Sequence, residues 1–215
     1  MILNEDTSRQ VSEIFSRELA GNVNLMLFFD PSEDKCPACR ATMELVKELA
    51  SLDGRISVTT YDMSKNQKEA RFLGVDKVPA LVIGGKKIYN MLYFGMPTGY
   101  EFSSLLEDIV DASKGATRLS ERSKDLLKSV SKPVDIKVFV TPTCPYCPKA
   151  VRIAHQFAME NPKIRSSMID AQEYMEMSRQ YEVIGVPRIV INDSIALEGA
   201  QPEEVLLQHV LDVGK

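Results

Sequence analysis

The sequence predicts an α/β protein made of two tandem units, each a mixed four-stranded central sheet flanked by helices. Three observations predict it. The pairs Cys36-Pro-Ala-Cys39 and Cys144-Pro-Tyr-Cys147 stand 108 positions apart, as do Val78-Pro79 and Val186-Pro187. The order of apolar segments around these marks also repeats. Finally, 215 residues divide into two units of a size at which a single core is stable. The units are expected at residues 1–115 and 116–215, with Gly115 closing one helix and Thr117 placed to cap the next.

Each element follows from its pattern. Val11, Ile14, Phe15 and Leu19 recur at helical spacing, as do Leu119, Leu126, Leu127 and Val130. Largely apolar segments at Val23 to Phe29 and Val134 to Val140 predict buried strands. Each Cys-x-x-Cys then opens a long helix. Its apolar face runs Met43, Val46, Leu49, Ala50 in one half and Ala150, Val151, Ala154, Phe157, Ala158 in the other. Second strands are expected at Ile56 to Tyr61 and Ile164 to Ile169, and short helices near 65–73 and 171–182. After each Val-Pro, two short strands meet at a tight turn, Gly84-Gly85 or Asn192-Asp193. Closing helices fall near 101–113 and 202–213. The helical crossover makes the first two strands parallel, and the hairpin makes the last two antiparallel.

Composition excludes several functions. A net charge of −4 and a pI near 5.4 lack the basic face of a nucleic-acid binder and do not favour an anionic membrane. The N-terminal residues carry no positive flank followed by an apolar run, which predicts a cytoplasmic protein. All four cysteines fall in the two pairs, which points to redox chemistry or metal rather than a scattered disulfide framework. A structural zinc site would need both pairs to converge. Each pair instead has its own repeat and its own Val-Pro, so no metal ligand is assigned.

A strand, a Cys-Pro-x-Cys opening a helix, and a Val-Pro before a hairpin resemble the thioredoxin and glutaredoxin pattern. Thr141-Pro142-Thr143-Cys144-Pro145-Tyr146-Cys147 is similar to a glutaredoxin site. The doubled arrangement resembles the protein disulfide oxidoreductases of hyperthermophiles, over nearly the whole chain. The resemblance implies two thioredoxin-like domains, cis bonds at Pro79 and Pro187, and proximity of each proline to its cysteine pair. It further implies that the backbone of Val78 and Val186 pairs with an extended substrate segment. The implied activity is reduction, formation or isomerisation of protein disulfides. No cofactor beyond the cysteines is expected. The implied donor is a thioredoxin-reductase-like flavoprotein. The alternative is an electron carrier feeding a peroxiredoxin.

The chemistry follows from placement. Unpaired N–H groups and the macrodipole at a helix start favour a thiolate, and the thiolate is the nucleophile. Cys36 and Cys144 are therefore the expected attacking residues, with Cys39 and Cys147 more buried and resolving the mixed disulfide. Glu33 and Asp34 oppose a thiolate at Cys36, whereas Cys144 has no acid nearby in sequence and Lys149 close behind. Cys144 is thus expected to have the lower pKa. Pro37 and Pro145 should favour the first helical turn. Asp30 reads as a turn residue before proline. His155 and His209 read as surface residues, and Arg188 as solvated or touching substrate.

Overall fold

The computed structural model describes residues 2–215, which cluster into two compact units. One comprises the chain up to Tyr89 with Tyr93–Met96 and Leu106–Gly115; the other comprises Asn90–Leu92, Pro97–Leu105 and Ala116–Lys215. Among the described residues no helix is long and apolar enough to cross a membrane.

The first half runs α1 (Glu5–Glu18), β1 (Val23–Phe29), α2 (Cys39–Leu52), β2 (Ile56–Asp62), α3 (Gln67–Phe72), β3 (Ala80–Gly84), β4 (Ile88–Phe94) and α4 (Glu101–Lys114). Strand β1 is central. It pairs parallel with β2, Val23 opposite Ile56, and antiparallel with β3, Phe28 opposite Ala80. Strand β4 borders β3. From Leu25 to Phe29 the strand is unbroken apolar sequence, as a strand covered on both faces requires; Leu25, Leu27 and Phe28 are fully buried. Each such side chain contributes about 1.5–3 kcal/mol by leaving water. Strand β3 runs through Gly84, so the turn occupies residues 85–87 rather than centring on Gly84-Gly85. Glycine is required at 85, where a Cβ would stand 2.0 Å from the Ala112 carbonyl oxygen.

The second half repeats this order: α5 (Glu121–Leu127), β5 (Val134–Val140), α6 (Cys147–Glu160), β6 (Ile164–Asp170), α7 (Met175–Gln180), β7 (Arg188–Ile191), β8 (Ile195–Glu198) and α8 (Glu203–Gly214). Strand β5 pairs parallel with β6 and antiparallel with β7, and β7 pairs antiparallel with β8. The turn occupies residues 192–194, one longer than the Asn192-Asp193 pair, with Asn192 and Asp193 both at positive φ, 48° and 55°. The Asn192 side chain accepts the Asp135 N–H at 2.8 Å, which fixes the turn to β5.

The two halves close their first helix by different chemistry at corresponding positions. In the first, Asp53 holds Arg55, whose guanidinium donates to the Phe15 and Leu19 carbonyls at 2.9 Å. In the second, the Asn161 amide donates directly to the Leu127 and Val130 carbonyls at 2.7 and 3.0 Å. Both supply side-chain donors to the carbonyls at a helix end. Helix α5 is shorter than its apolar pattern suggests; Leu119 and Val130 are buried but lie outside it.

Candidate active sites

Both cysteine pairs are closed as disulfides, with Cα–Cα separations of 5.3 Å for Cys36–Cys39 and 5.5 Å for Cys144–Cys147. Each helix begins at the second cysteine. Cys36 and Cys144 occupy the turn just ahead of it, as do Pro37 and Pro145. The proline inside the first turn of α6 is Pro148. Neither α2 nor α6 has a side-chain cap, whereas α1 is capped by Asn4 and α5 by Ser120. The N–H groups at these two helix starts are thus not claimed by a capping side chain, and the macrodipole there favours a sulfur anion.

Burial separates the cysteines in only one unit. Cys144 is 7% exposed and Cys147 fully buried, but Cys36 and Cys39 are alike at 2% and 4%. The expected ordering fails in the first unit because the loop before Cys36 is longer. Residues 31–35 fold back there, with the Cys36 N–H donating to the Ser32 carbonyl at 3.0 Å.

Around the first pair, the Asp30 N–H points at Cys39 Sγ at 3.4 Å, while its carboxylate accepts the Ser32 N–H at 2.8 Å. That is a turn role, as its place before proline indicates. Asp30, Phe29, Pro31 and Met43 line an open groove that reaches both cysteines. Arg40, at its edge, faces Glu33 at 3.6 Å and Glu44 at 3.5 Å.

Val78–Pro79 and Val186–Pro187 are cis peptides. Both prolines are buried and both valines half-buried. Pro79 accepts the Gly95 N–H at 3.1 Å, and Pro187 accepts the Gly199 N–H at 2.8 Å, so each loop is tied to the residue after its hairpin. In the second unit the Val186 carbonyl oxygen lies 3.6 Å from Cys144 Sγ. In the first, Val78-Pro79 heads β3 at the end of the sheet where β1 leads into the Cys36 loop. Arg188 is ion-paired with Glu198 across β7 and β8. That pairing holds its side chain, which is not freely solvated.

Two buried acids in the second unit were not legible as such. Glu101 is buried, and desolvation pushes its carboxyl up to about 7, with the Ser104 hydroxyl partly offsetting this and the Asp170 carboxylate adding to it. Asp170 is raised as well, by burial. Glu101 follows Tyr100, whose N–H donates to the Pro142 carbonyl at 3.0 Å, two residues before Cys144. Glycine at 99 allows that approach: its φ is +59°, and a Cβ would stand 2.1 Å from the Pro142 oxygen. His155 corrects the surface assignment. It is fully buried, and desolvation lowers its pKa to about 3, while a bond to the Leu92 backbone opposes this. Among the described residues no three His, Cys, Asp or Glu side chains gather as a metal site.

Comparison with known proteins agrees with this geometry. The family model of the thioredoxin domain matches residues 32–107 and 134–212, more than half of the chain. A protein disulfide oxidoreductase from Aeropyrum pernix superposes with a TM-score of 0.91 at 29% identity, covering 98% of this chain and 93% of that one. The alkylhydroperoxide reductase component AhpF from Enterococcus faecalis superposes at 0.89 and 24% identity, covering 98% and 100%; at that identity the likeness concerns fold. The alkyl hydroperoxide reductase F component of Staphylococcus epidermidis is 26% identical over 89% of this chain but only 34% of its own length. The chain thus spans about a third of the curated relatives it matches.

Proposed function

The chain belongs to the thioredoxin-domain family, and on that premise we propose that it is a thiol–disulfide oxidoreductase acting on protein disulfides, with one exchange site in residues 1–115 and one in 116–215. The observation that carries this is the repeated constellation: a cysteine pair at an uncapped helix start, with a Val-Pro loop at the same end of the sheet.

The exchange balances in atoms and electrons. The Cys144 thiolate attacks one sulfur of a substrate disulfide, and the substrate S–S bond breaks as a mixed disulfide forms. The departing substrate thiolate takes a proton. Cys147, deprotonated, attacks the Cys144 sulfur and expels the second substrate thiolate. The chain ends with a disulfide and the substrate with two thiols, a transfer of two electrons and two protons. Run backwards, the same steps form a disulfide in the substrate. Cys36 and Cys39 act likewise. Val78-Pro79 and Val186-Pro187 hold the extended substrate segment by backbone pairing.

The reading needs no cofactor beyond the cysteines and no metal. It places the protein in the cytoplasm, acting on soluble polypeptides rather than nucleic acid or membrane, with a thioredoxin-reductase-like flavoprotein as donor. A second reading, electron delivery to a peroxiredoxin, is supported by the match of 89% of this chain to the alkyl hydroperoxide reductase F component. Dithiol-driven reduction of insulin by the native chain, Cys36→Ser, Cys144→Ser and the double variant tests the primary reading. Each single variant should retain part of the activity and the double variant none. Activity surviving in the double variant removes the mechanism.

A further inference from the structure

The two exchange sites have different rims. Tyr146, between the cysteines of the second unit, is 71% exposed. Ile184, two residues ahead of Val186, is 93% exposed, the most exposed large apolar side chain among the described residues. The segment that carries it leads directly to the Val186 carbonyl, 3.6 Å from Cys144 Sγ. Gly185, between them, leaves this lip open: a Cβ there would meet nothing nearer than a Glu198 carboxylate oxygen at 4.0 Å. The nearby cation Arg188 is already paired with Glu198. The corresponding positions of the first unit, 108 residues earlier, are Ala38, Asp76 and Lys77. Asp76 and Lys77 form an ion pair with each other. One lip therefore offers isoleucine and glycine where the other offers a charged pair.

We propose that Tyr146 and Ile184 are specificity-determining residues of the second site, favouring an extended polypeptide segment whose cysteine is flanked by apolar side chains. This deepens the exchange reading and rests on it. An apolar flank leaves water against Tyr146 and Ile184 while its sulfur is joined to Cys144, which stabilises the mixed disulfide. The same flank at the first site must desolvate Asp76 and Lys77 without giving them a new partner. Apolar segments of this kind are buried in finished folds. The preferred partner of the second site is thus a polypeptide still incompletely folded.

The test uses full-length chains with one working site: Cys36→Ser with Cys39→Ser leaves the second, and Cys144→Ser with Cys147→Ser leaves the first. Each is driven by dithiol against two disulfide-linked peptides, one with Leu and Phe beside its cysteine, the other with Ser and Asn. The readout is the ratio of kcat/KM for the apolar peptide to that for the polar one. The expected ratio is about tenfold at the second site, the scale of one partly buried side chain, and near unity at the first. Ile184→Asp, at an almost wholly exposed position, should lower the second-site ratio toward unity, and Asp76→Ile should raise the first-site ratio. Equal ratios at the two sites, or a ratio that Ile184→Asp does not move, overturn the inference while leaving the exchange reading intact. Failure of the second-site chain to reduce either peptide overturns both. Sedimentation showing a native dimer that Ile184→Asp dissociates would assign the lip to a second copy, and that also overturns it.

Discussion

The carbonyl oxygen of Val186 lies 3.6 Å from Cys144 Sγ. A substrate segment paired with the Val186 backbone therefore has its own sulfur delivered to Cys144 rather than to Cys147, which is fully buried. Cys147→Ser should accumulate a mixed disulfide between Cys144 and a protein substrate, because nothing remains to resolve it. Cys144→Ser should accumulate none at this site. Non-reducing electrophoresis and intact mass, with the first pair replaced by serine, distinguish these outcomes.

The acids before Cys36 are expected to set the two nucleophiles apart. Glu33 and Asp34 should raise the cost of a thiolate there, although Arg40 faces Glu33 at 3.6 Å and screens it in part. The Glu33 and Arg40 side chains are both exposed, so the effect should weaken with salt. Alkylation rates followed against pH, on reduced chains holding one pair each, should place the Cys144 thiolate at lower pH than the Cys36 thiolate. The opposite order would contradict this.

Glu101 should make stability fall as pH rises. Its folded pKa, about 7, lies above the ordinary value of 4.5, so the folded state binds more protons between those limits. Its favourable contribution is complete below about 4.5 and is lost as pH rises through about 7. Glu101→Gln removes that dependence. Chemical denaturation should show the variant gaining on the native chain across this window, by up to about 3 kcal/mol. A constant difference between pH 5 and 8 would contradict the assignment.

His155 should act in the opposite direction. Its pKa falls from 6.5 to about 3 on folding, so the unfolded chain binds the extra proton between those values. Stability contributed by keeping the ring neutral is present above about 6.5 and is lost as pH falls toward 3. His155→Gln should lose much of this acid sensitivity while costing some stability at neutral pH, since the ring is fully buried and bonded to the Leu92 backbone. Thermal melts between pH 4 and 7 check both parts.

The tandem architecture was legible because the same marks recur at one offset. Strand β1 and strand β5 begin and end at the residues their apolar runs predict, and β2 and β6 extend only one residue further. What the sequence hid was burial from a second direction. The apolar stripe of α6 accounts for Ala150, Val151, Ala154, Phe157 and Ala158, yet Arg152, His155 and Gln156 are buried too. Gln156 accepts the Arg118 N–H at 2.7 Å, and His155 bonds Leu92. A periodicity argument sees the face against the sheet and not the polar face covered by segments distant in sequence. Glu101 escaped notice for a related reason. An acid in the first helical turn is ordinarily a surface feature that the macrodipole favours, so nothing in its sequence position signals desolvation.

The central claim is that each cysteine pair hands two electrons to a protein disulfide. It is tested most directly by stoichiometry. A fully reduced chain, freed of reductant and mixed anaerobically with excess insulin, should reduce about two insulin disulfides per chain, and about one after Cys36→Ser with Cys39→Ser, each dithiol giving up one electron pair. No insulin thiols formed, or an unchanged yield after loss of the first pair, would contradict the account.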